Sequence, residues 1–146
     1  MRSLGAATLS AAALGLWLLF SAPPASGAPA AAPILVNSPA DIPDSAPGDG
    51  ACETGLGDGI CTLRGAIQEA NAFPGAGAIQ LQANVTYLLT RPGHDNTGLN
   101  GALVITDSLT LLGAGPDSSI IDGNGAAIGD GVIRVFAPLT ASVTIS

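Results

Sequence analysis

The sequence predicts an all-β fold of stacked coils, and three observations support this prediction. Charged residues make up only 10% of the chain, and its second half is rich in the β-branched residues that favour strands. Glycine and aspartate recur between the apolar runs, as expected where tight turns join short strands. Runs that begin at residues 85, 109 and 132 are 24 and 23 residues apart, a spacing typical of one solenoid turn. A sandwich of two sheets with short strands remains the alternative.

Seven short runs after residue 77 are predicted as strands. Each is rich in β-branched residues or leucine and is separated from the next by turn residues. They are Ala78–Leu81, Val85–Leu89, Leu103–Ile105, Leu109–Leu112, Ser119–Ile121, Val132–Phe136 and Val143–Ile145.

Residues 1–28 have the layout of a secretory signal peptide. A short positive start at Arg2 is followed by an uncharged apolar run from Leu4 to Phe20 and then by small residues. An uncleaved anchor helix is the alternative, although the run is at the short limit for a membrane span. We therefore expect a secreted, extracellular or cell-surface protein that has no membrane contact after signal cleavage. Residues 29–33 form an Ala/Pro-rich lead-in.

The charge balance excludes one class of partner. The chain has no lysine, and its 4 arginines stand against 11 acidic residues, for a net charge of −7. Because contacts to phosphates need Lys and Arg, a nucleic-acid partner is not expected. The same balance argues against an anionic membrane surface and favours solubility and cation binding.

The two cysteines, Cys52 and Cys61, suggest a disulfide in an exported protein. It would close a loop of eight intervening residues and stabilise the fold by roughly 2.5–3 kcal/mol. A zinc site is the alternative. That site would lack the CxxC spacing, and His94 is the only histidine in the chain.

A short amphipathic helix is predicted directly after the second cysteine. Thr62 is a suitable N-cap, and Pro74-Gly75 is a stop signal. The apolar residues follow the i, i+3, i+4, i+7 spacing of one helix face. They are Leu63, Ala66, Ile67 and Ala70.

A group of aspartates near the first cysteine allows two interpretations. Calcium takes carboxylate and carbonyl oxygens on turns, but the spacing of an EF-hand is absent. Aspartate also caps turns and precedes glycine in them. We favour the second interpretation, so no metal site or cofactor is predicted and Ca²⁺ is the weak alternative. The calcium candidates are Asp41, Asp44, Asp49 and Asp58.

The segment around the helix resembles the signature of a group of bacterial surface proteins. That signature is written Cys-Ser-Leu-Arg-Glu-Ala-Ile followed by Ala-Asn. The similar residues here are Gly48-Asp49-Gly50, Cys52 and Cys61-Thr62-Leu63-Arg64-Gly65-Ala66-Ile67-Gln68-Glu69-Ala70-Asn71. In addition, Ile34–Ser38 resembles the opening strand of these proteins. The resemblance covers residues 34–146.

The resemblance implies the N-terminal portion of a right-handed parallel β-helix of the pectin-lyase-like class, with about three coils present. Residues 34–77 would hold the opening strand, the cysteine loop and a capping helix, and residues 78–146 the first coils. The chain stops within an apparent strand at Val143–Ser146, so we expect a truncated fragment.

The capping role gives expectations for single residues of the helix. Leu63, Ile67 and Ala70 would cover the open core of the first coil, with Gln68 and Glu69 outward. Arg64 would pair with Asp58 or Asp49. Gly65 replaces the Glu of the signature at position N3, which removes a capping box and costs about 1 kcal/mol of helix propensity.

Catalytic residues are not predicted. His94-Asp95 is the only His–acid pair, and no Gly-x-Ser-x-Gly elbow accompanies it. Two carboxylates could cleave a glycosidic bond, but the aspartates available lie in or before turns: Asp95, Asp107, Asp117, Asp122 and Asp130.

The expected function is therefore a secreted or cell-surface β-helix module without catalysis of its own. It would be adhesin-like or structural and would contact an extracellular glycan or the cell envelope. The alternative is the N-terminal fragment of an extracellular polysaccharide lyase or glycoside hydrolase of the pectin-lyase-like class.

Overall fold

A computed structural model describes residues 32–73, 75 and 77–146. The predicted leader at residues 1–28 lies outside this part. The described chain is β-rich, with eight short strands and two helices. Their bounds are β1 (Ile34–Leu35), α1 (Leu63–Ala72), β2 (Gly77–Gln80), β3 (Val85–Leu88), β4 (Leu103–Ile105), β5 (Leu109–Leu112), β6 (Ser119–Asp122), α2 (Gly125–Ile128), β7 (Ile133–Val135) and β8 (Val143–Ile145).

The local predictions are largely confirmed. The helix after Cys61 is present, and all seven predicted strands occur with bounds that differ by no more than one residue at either end. Helix α2 was not predicted, because a single turn of four residues is too short to show a periodic apolar pattern.

All strand pairs are parallel. One sheet has the order β1-β2-β5-β8, a second pairs β3 with β6, and a third pairs β4 with β7. Each strand from β2 to β5 therefore pairs with the strand three places later in the chain. The alternative of a β-sandwich is not supported, because sandwiches are built from antiparallel sheets.

The predicted repeat of 23 or 24 residues is wrong. Val85 pairs with Ser119, Leu103 with Ile133 and Leu109 with Val143, so paired residues are 34, 30 and 34 positions apart. The shorter spacing linked runs that belong to different sheets. Because each repeat holds three strands of similar composition, the spacing between run starts does not show which strands are neighbours.

The core lies between the three sheets and α1. Each sheet contributes a fully buried side chain, namely Ile79, Tyr87 and Ile105. Leu63 and Ile67 of α1 are buried in the same cluster, and burial of each large apolar side chain stabilises the fold by about 1.5–3 kcal/mol. The Tyr87 hydroxyl accepts a hydrogen bond from the amide of Gln82 at 2.9 Å, so its polar atom is satisfied.

Candidate functional site

Arg64, the second residue of α1, lies at the centre of a buried polar network. Only 1% of its side chain is exposed. Its Nε donates to Asp41 Oδ1 at 2.5 Å and its Nη2 to Asp41 Oδ2 at 3.2 Å, so the pair is bidentate. The predicted pairing of Arg64 with Asp58 or Asp49 is wrong. The N-terminal segment passes beside the first turn of α1 and brings Asp41, 23 residues away, to this position.

The remaining N–H groups of Arg64 bind the loop before β4. Nη1 donates to the Gly98 carbonyl and Nη2 to the Gly101 carbonyl, each at 2.8 Å. A buried charge is tolerated only when it is paired and its hydrogen bonds are made. Arg64 therefore joins three parts of the chain: the N-terminal segment, α1 and the loop that leads into β4. We call Asp41, Arg64 and these two carbonyls the Arg64 clasp.

The Asp41 carboxylate accepts hydrogen bonds from backbone amides in addition to those from Arg64. Its Oδ2 accepts hydrogen bonds from the amides of Thr90 at 2.7 Å and Arg91 at 3.1 Å. Burial acts to raise the pKa of Asp41, but the hydrogen bonds from Arg64, Thr90 and Arg91 and the charge of Arg64 outweigh it. The pKa of Asp41 therefore lies below its ordinary value of 3.8, and the carboxylate is ionised at neutral pH.

Gln68 lies beside the clasp, and its predicted outward position is wrong. The residue is 8% exposed. Its Oε1 accepts from the Asp44 amide at 2.8 Å, and its Nε2 donates to the Gly98 carbonyl at 3.3 Å. One side chain thus holds the N-terminal segment and the Gly98 loop together.

Glu69 is also buried, at 3% exposure, so its predicted outward position is wrong too. Its two carboxylate oxygens accept from the amides of Gly48 at 2.6 Å and Gly50 at 2.7 Å. Both glycines have positive φ angles, of 98° and 93°, which other residues rarely adopt. The Gly48-Asp49-Gly50 turn therefore folds over the outer side of α1 and is held there by Glu69.

Asn71, near the end of α1, contacts the backbone around β4. Its Nδ2 donates to the Val104 carbonyl at 2.7 Å and its Oδ1 accepts from the Thr106 amide at 2.9 Å. A side-chain amide offers one donor and one acceptor side by side, as the backbone of a neighbouring strand does. Asn71 thus satisfies backbone groups at the edge of β4.

The start of α1 is fixed by Thr62, and its prediction as N-cap is confirmed. Its Oγ1 accepts from the Gly65 amide at 3.0 Å and donates to the Ile42 carbonyl at 2.6 Å. A Cβ on Gly65 would lie 3.2 Å from Thr62 Oγ1 and 3.5 Å from the Asp44 amide nitrogen. The glycine that differs from the signature therefore lies where the backbone of the N-terminal segment runs close to α1.

The predicted disulfide is confirmed between Cys52 and Cys61. Cys61 directly precedes the N-cap, and its amide donates to Asn37 Oδ1 at 2.8 Å. The cystine thus fixes the residue that directly precedes the N-cap of α1. A disulfide is consistent with an extracellular location. Among the described residues, none of the helices is both long and apolar enough to cross a membrane.

The four calcium candidates are not brought together. Asp41 is bound in the clasp, whereas Asp44, Asp49 and Asp58 each accept from the amide two residues later, as aspartate does in turns. Asp44 Oδ2 is buried without a hydrogen-bond partner. Within residues 32–73, 75 and 77–146, no three His, Cys, Asp or Glu residues lie close enough to hold a metal ion.

His94 faces Asp130 and not Asp95, its neighbour in sequence. Its Nδ1 is 3.3 Å from Asp130 Oδ1. Arg134 Nη2 lies 2.6 Å from the same nitrogen and 2.5 Å from the same carboxylate oxygen. Since Arg134 can only donate, Nδ1 of His94 is the acceptor in this contact. We call His94, Asp130 and Arg134 the His94 cluster.

Two aspartates of this region have lowered pKa values. A hydrogen bond from the Ala102 amide is the main cause that lowers the pKa of Asp130, and the charge of Arg134 adds to it. Burial acts to raise the pKa of Asp95, but hydrogen bonds within its own turn, chiefly from Thr97, lower it to about 2. Both carboxylates are ionised at neutral pH, so neither could serve there as a general acid.

The other aspartates considered for sugar cleavage serve local structure or face solvent. Asp107 Oδ2 accepts from the Gly75 amide, and Asp122 Oδ1 accepts from the Asn124 amide. Asp117 lies exposed in the turn before β6.

Comparison of the chain with protein-family models, with curated proteins and with solved structures gives no match.

Proposed function

We propose that the chain is the N-terminal portion of a secreted or cell-surface right-handed parallel β-helix, adhesin-like or structural, without catalysis of its own. The observation that carries the proposal is the parallel pairing of each strand from β2 to β5 with the strand three places later. A coil with three sides requires this pattern. Right-handedness follows from the strong preference of connections between parallel strands for that hand.

The contacts of α1 support a capping role. Ala66 and Ile67 are buried at 0% and 2% exposure against the core, and α1 contacts β2 and β4 of the first coil. A solenoid needs its terminal apolar core covered by a layer with a polar outer face. In this chain the N-terminal segment around Asp41–Gly50 supplies that outer layer, and α1 lies beneath it.

The same contacts support membership of the bacterial surface-protein family that the sequence resembles. The polar side chains of the signature segment bind parts of the chain that are distant in sequence. Arg64, Gln68, Glu69 and Asn71 all contact backbone groups. The segment thus holds separate parts of the fold together, as a structural module requires.

Export is part of the proposal. The leader predicted at residues 1–28 would direct the chain to an oxidising compartment, where the cystine persists. The acidic net charge of −7 favours a soluble surface domain. On the outside of the cell, the exposed flank of the coils would contact an extracellular glycan or the cell envelope.

One observation favours the alternative, a fragment of a polysaccharide-degrading enzyme. The His94 cluster places an imidazole, a carboxylate and a guanidinium within hydrogen-bond distance on the surface. The His94 side chain is 65% exposed, so its Nε2–H could donate a hydrogen bond to a substrate oxygen.

The two functions are separated by incubating the mature chain, from residue 29, with polygalacturonate and related glycans, with and without Ca²⁺. We expect no unsaturated product and no new reducing ends, together with retention of the protein on at least one insoluble glycan or envelope fraction. Product that disappears in Asp130→Asn would establish the enzyme. Absence of both product and retention would remove the glycan-contacting role.

A further inference from the structure

A groove of about 470 Å³ lies along the outer face of β4. Val104 lines it, because this residue alternates with the core residues Leu103 and Ile105 and therefore faces away from the core. The other lining residues belong to the N-terminal segment, to the second half of α1 and to the loop before β4. The volume is within the range of about 300–1,000 Å³ that is typical of ligand sites.

Two side-chain amides of α1 are held in fixed positions in this groove. Asn71 Nδ2 donates to the Val104 carbonyl, and Gln68 Nε2 donates to the Gly98 carbonyl. Because each amide nitrogen carries two protons, one proton of each remains for a ligand. Groups that are held in place before binding lose little conformational entropy when a ligand arrives.

The rim of the groove combines polar and apolar surface. Asn96 and Thr106 are exposed there. Asn96 contacts Arg134 through its Oδ1, which leaves its amide protons for a ligand, and the Thr106 hydroxyl can both donate and accept. Leu99, which is 45% exposed, adds apolar surface. A sugar ring needs this combination, since its edge carries hydroxyls and its faces carry C–H groups.

The contacts around the groove argue against two other classes of ligand. Among the described residues that line it, none is charged, so it offers no cation to a carboxylate or phosphate. The Val104 carbonyl and the Thr106 amide are both bound by Asn71. An extended peptide therefore cannot add as a strand at this edge of β4.

We propose that this groove binds a segment of an uncharged polysaccharide. The inference deepens the glycan-contacting role of the proposed function and rests on it. It states where on the molecule the glycan lies and that its sugars carry no carboxylate. The net charge of −7 repels acidic glycans such as polygalacturonate but has no such effect on an uncharged chain.

Titration of the mature chain, from residue 29, with oligosaccharides tests the location by NMR. The probes are cello-, xylo- and manno-oligosaccharides, with oligogalacturonate of the same length as the charged control. At least one uncharged probe should shift the side-chain amide resonances of Gln68, Asn71 and Asn96. Those of Gln82 and Asn84, which are exposed outside the groove, should stay in place. Binding should not weaken as salt is added, because an uncharged ligand has no charge to screen.

A pair of matched variants tests the rim. Thr106→Val removes one hydroxyl with little change of shape and should raise the dissociation constant about threefold to tenfold. Thr86→Val makes the same change at an exposed threonine of β3, outside the groove, and should leave the dissociation constant unchanged. Circular dichroism of each variant shows that it is folded.

The groove would be rejected by the absence of shifts with every uncharged probe, by equal shifts at Gln82 and Asn84, or by tighter binding of oligogalacturonate. Equal effects of the two valine variants would also reject it. Retention on an insoluble glycan without shifts in the groove rejects the groove alone. Formation of unsaturated product or new reducing ends rejects the non-catalytic function alone, so the two proposals fail separately.

Discussion

In the α1 region a buried ion pair and several side-chain-to-backbone bonds join the N-terminal segment to α1 and to the loop before β4, whereas in the β7 region the charged residues form the His94 cluster. The Arg64 and Asp41 side chains are 1% and 2% exposed, and Arg64 also binds the Gly98 and Gly101 carbonyls. In the His94 cluster the Arg134 side chain is 20% exposed and that of His94 65%. The contrast shows that the buried charges of the Arg64 clasp join distant parts of the chain, whereas the His94 cluster lies partly in solvent.

The largest expected difference between the two regions comes from their arginines. Arg64→Met leaves the Asp41 carboxylate and two carbonyls without their partner, so we expect the free energy of unfolding to fall by about 3–5 kcal/mol. Arg134→Met removes a part-buried ion pair, but Asp130 keeps hydrogen bonds from the Ala102 and Gly131 amides, so the loss should be only about 1–2 kcal/mol. Urea denaturation of both variants measures the two values. Equal losses would show that the clasp is no stronger than the pair in the His94 cluster.

Apolar burial gives the next contrast. Ile67→Ala removes a side chain of α1 that is 2% exposed and should cost about 2–4 kcal/mol. Ile145→Ala in β8 should cost less than about 1 kcal/mol, because the side chain is 57% exposed. Urea denaturation of both variants measures the two values. A larger loss for Ile145→Ala than for Ile67→Ala would show that α1 does not lie on the core.

The cystine should stabilise the start of α1. Replacing Cys52 and Cys61 together by alanine should lower the free energy of unfolding by roughly 2.5–3 kcal/mol, because the unfolded loop is no longer constrained. Thermal and urea melts of the double variant and of the reduced wild type should agree. If the double variant is as stable as the oxidised wild type, the link does not hold the start of α1.

The smallest effect is a pH dependence of the clasp. Folding lowers the pKa of Asp41 below its ordinary value of 3.8. The ionised carboxylate therefore stabilises the fold fully above pH 3.8, and this stabilisation is lost as the pH falls through the lowered pKa. The stability difference between wild type and Asp41→Asn should therefore shrink below pH 3.8. Urea denaturation of both proteins at a series of pH values measures this difference. A difference that is constant with pH would exclude Asp41 as the titrating group.

The sequence was sufficient for the local elements, because strand composition, helix periodicity and the Thr62 cap are properties of neighbouring residues. The sequence was insufficient to identify the partner of Arg64, because no local pattern shows that Asp41, 23 residues earlier in the chain, lies beside it. Gln68 and Glu69 were misplaced for the same reason: helical spacing identifies a polar face but not what covers it. The two glycines around Asp49 were the available signal, because such turns leave amides free to bind a carboxylate.

Native-state hydrogen exchange on the wild-type chain tests most directly whether the clasp and Glu69 hold the N-terminal segment against α1. The amides of Gly48, Gly50 and Thr90, which bind Glu69 and Asp41, should exchange only through global unfolding, as should the core of α1. Amides of β8 should exchange faster, through local opening. Exchange at Gly48, Gly50 and Thr90 as fast as in β8 would contradict the clasp.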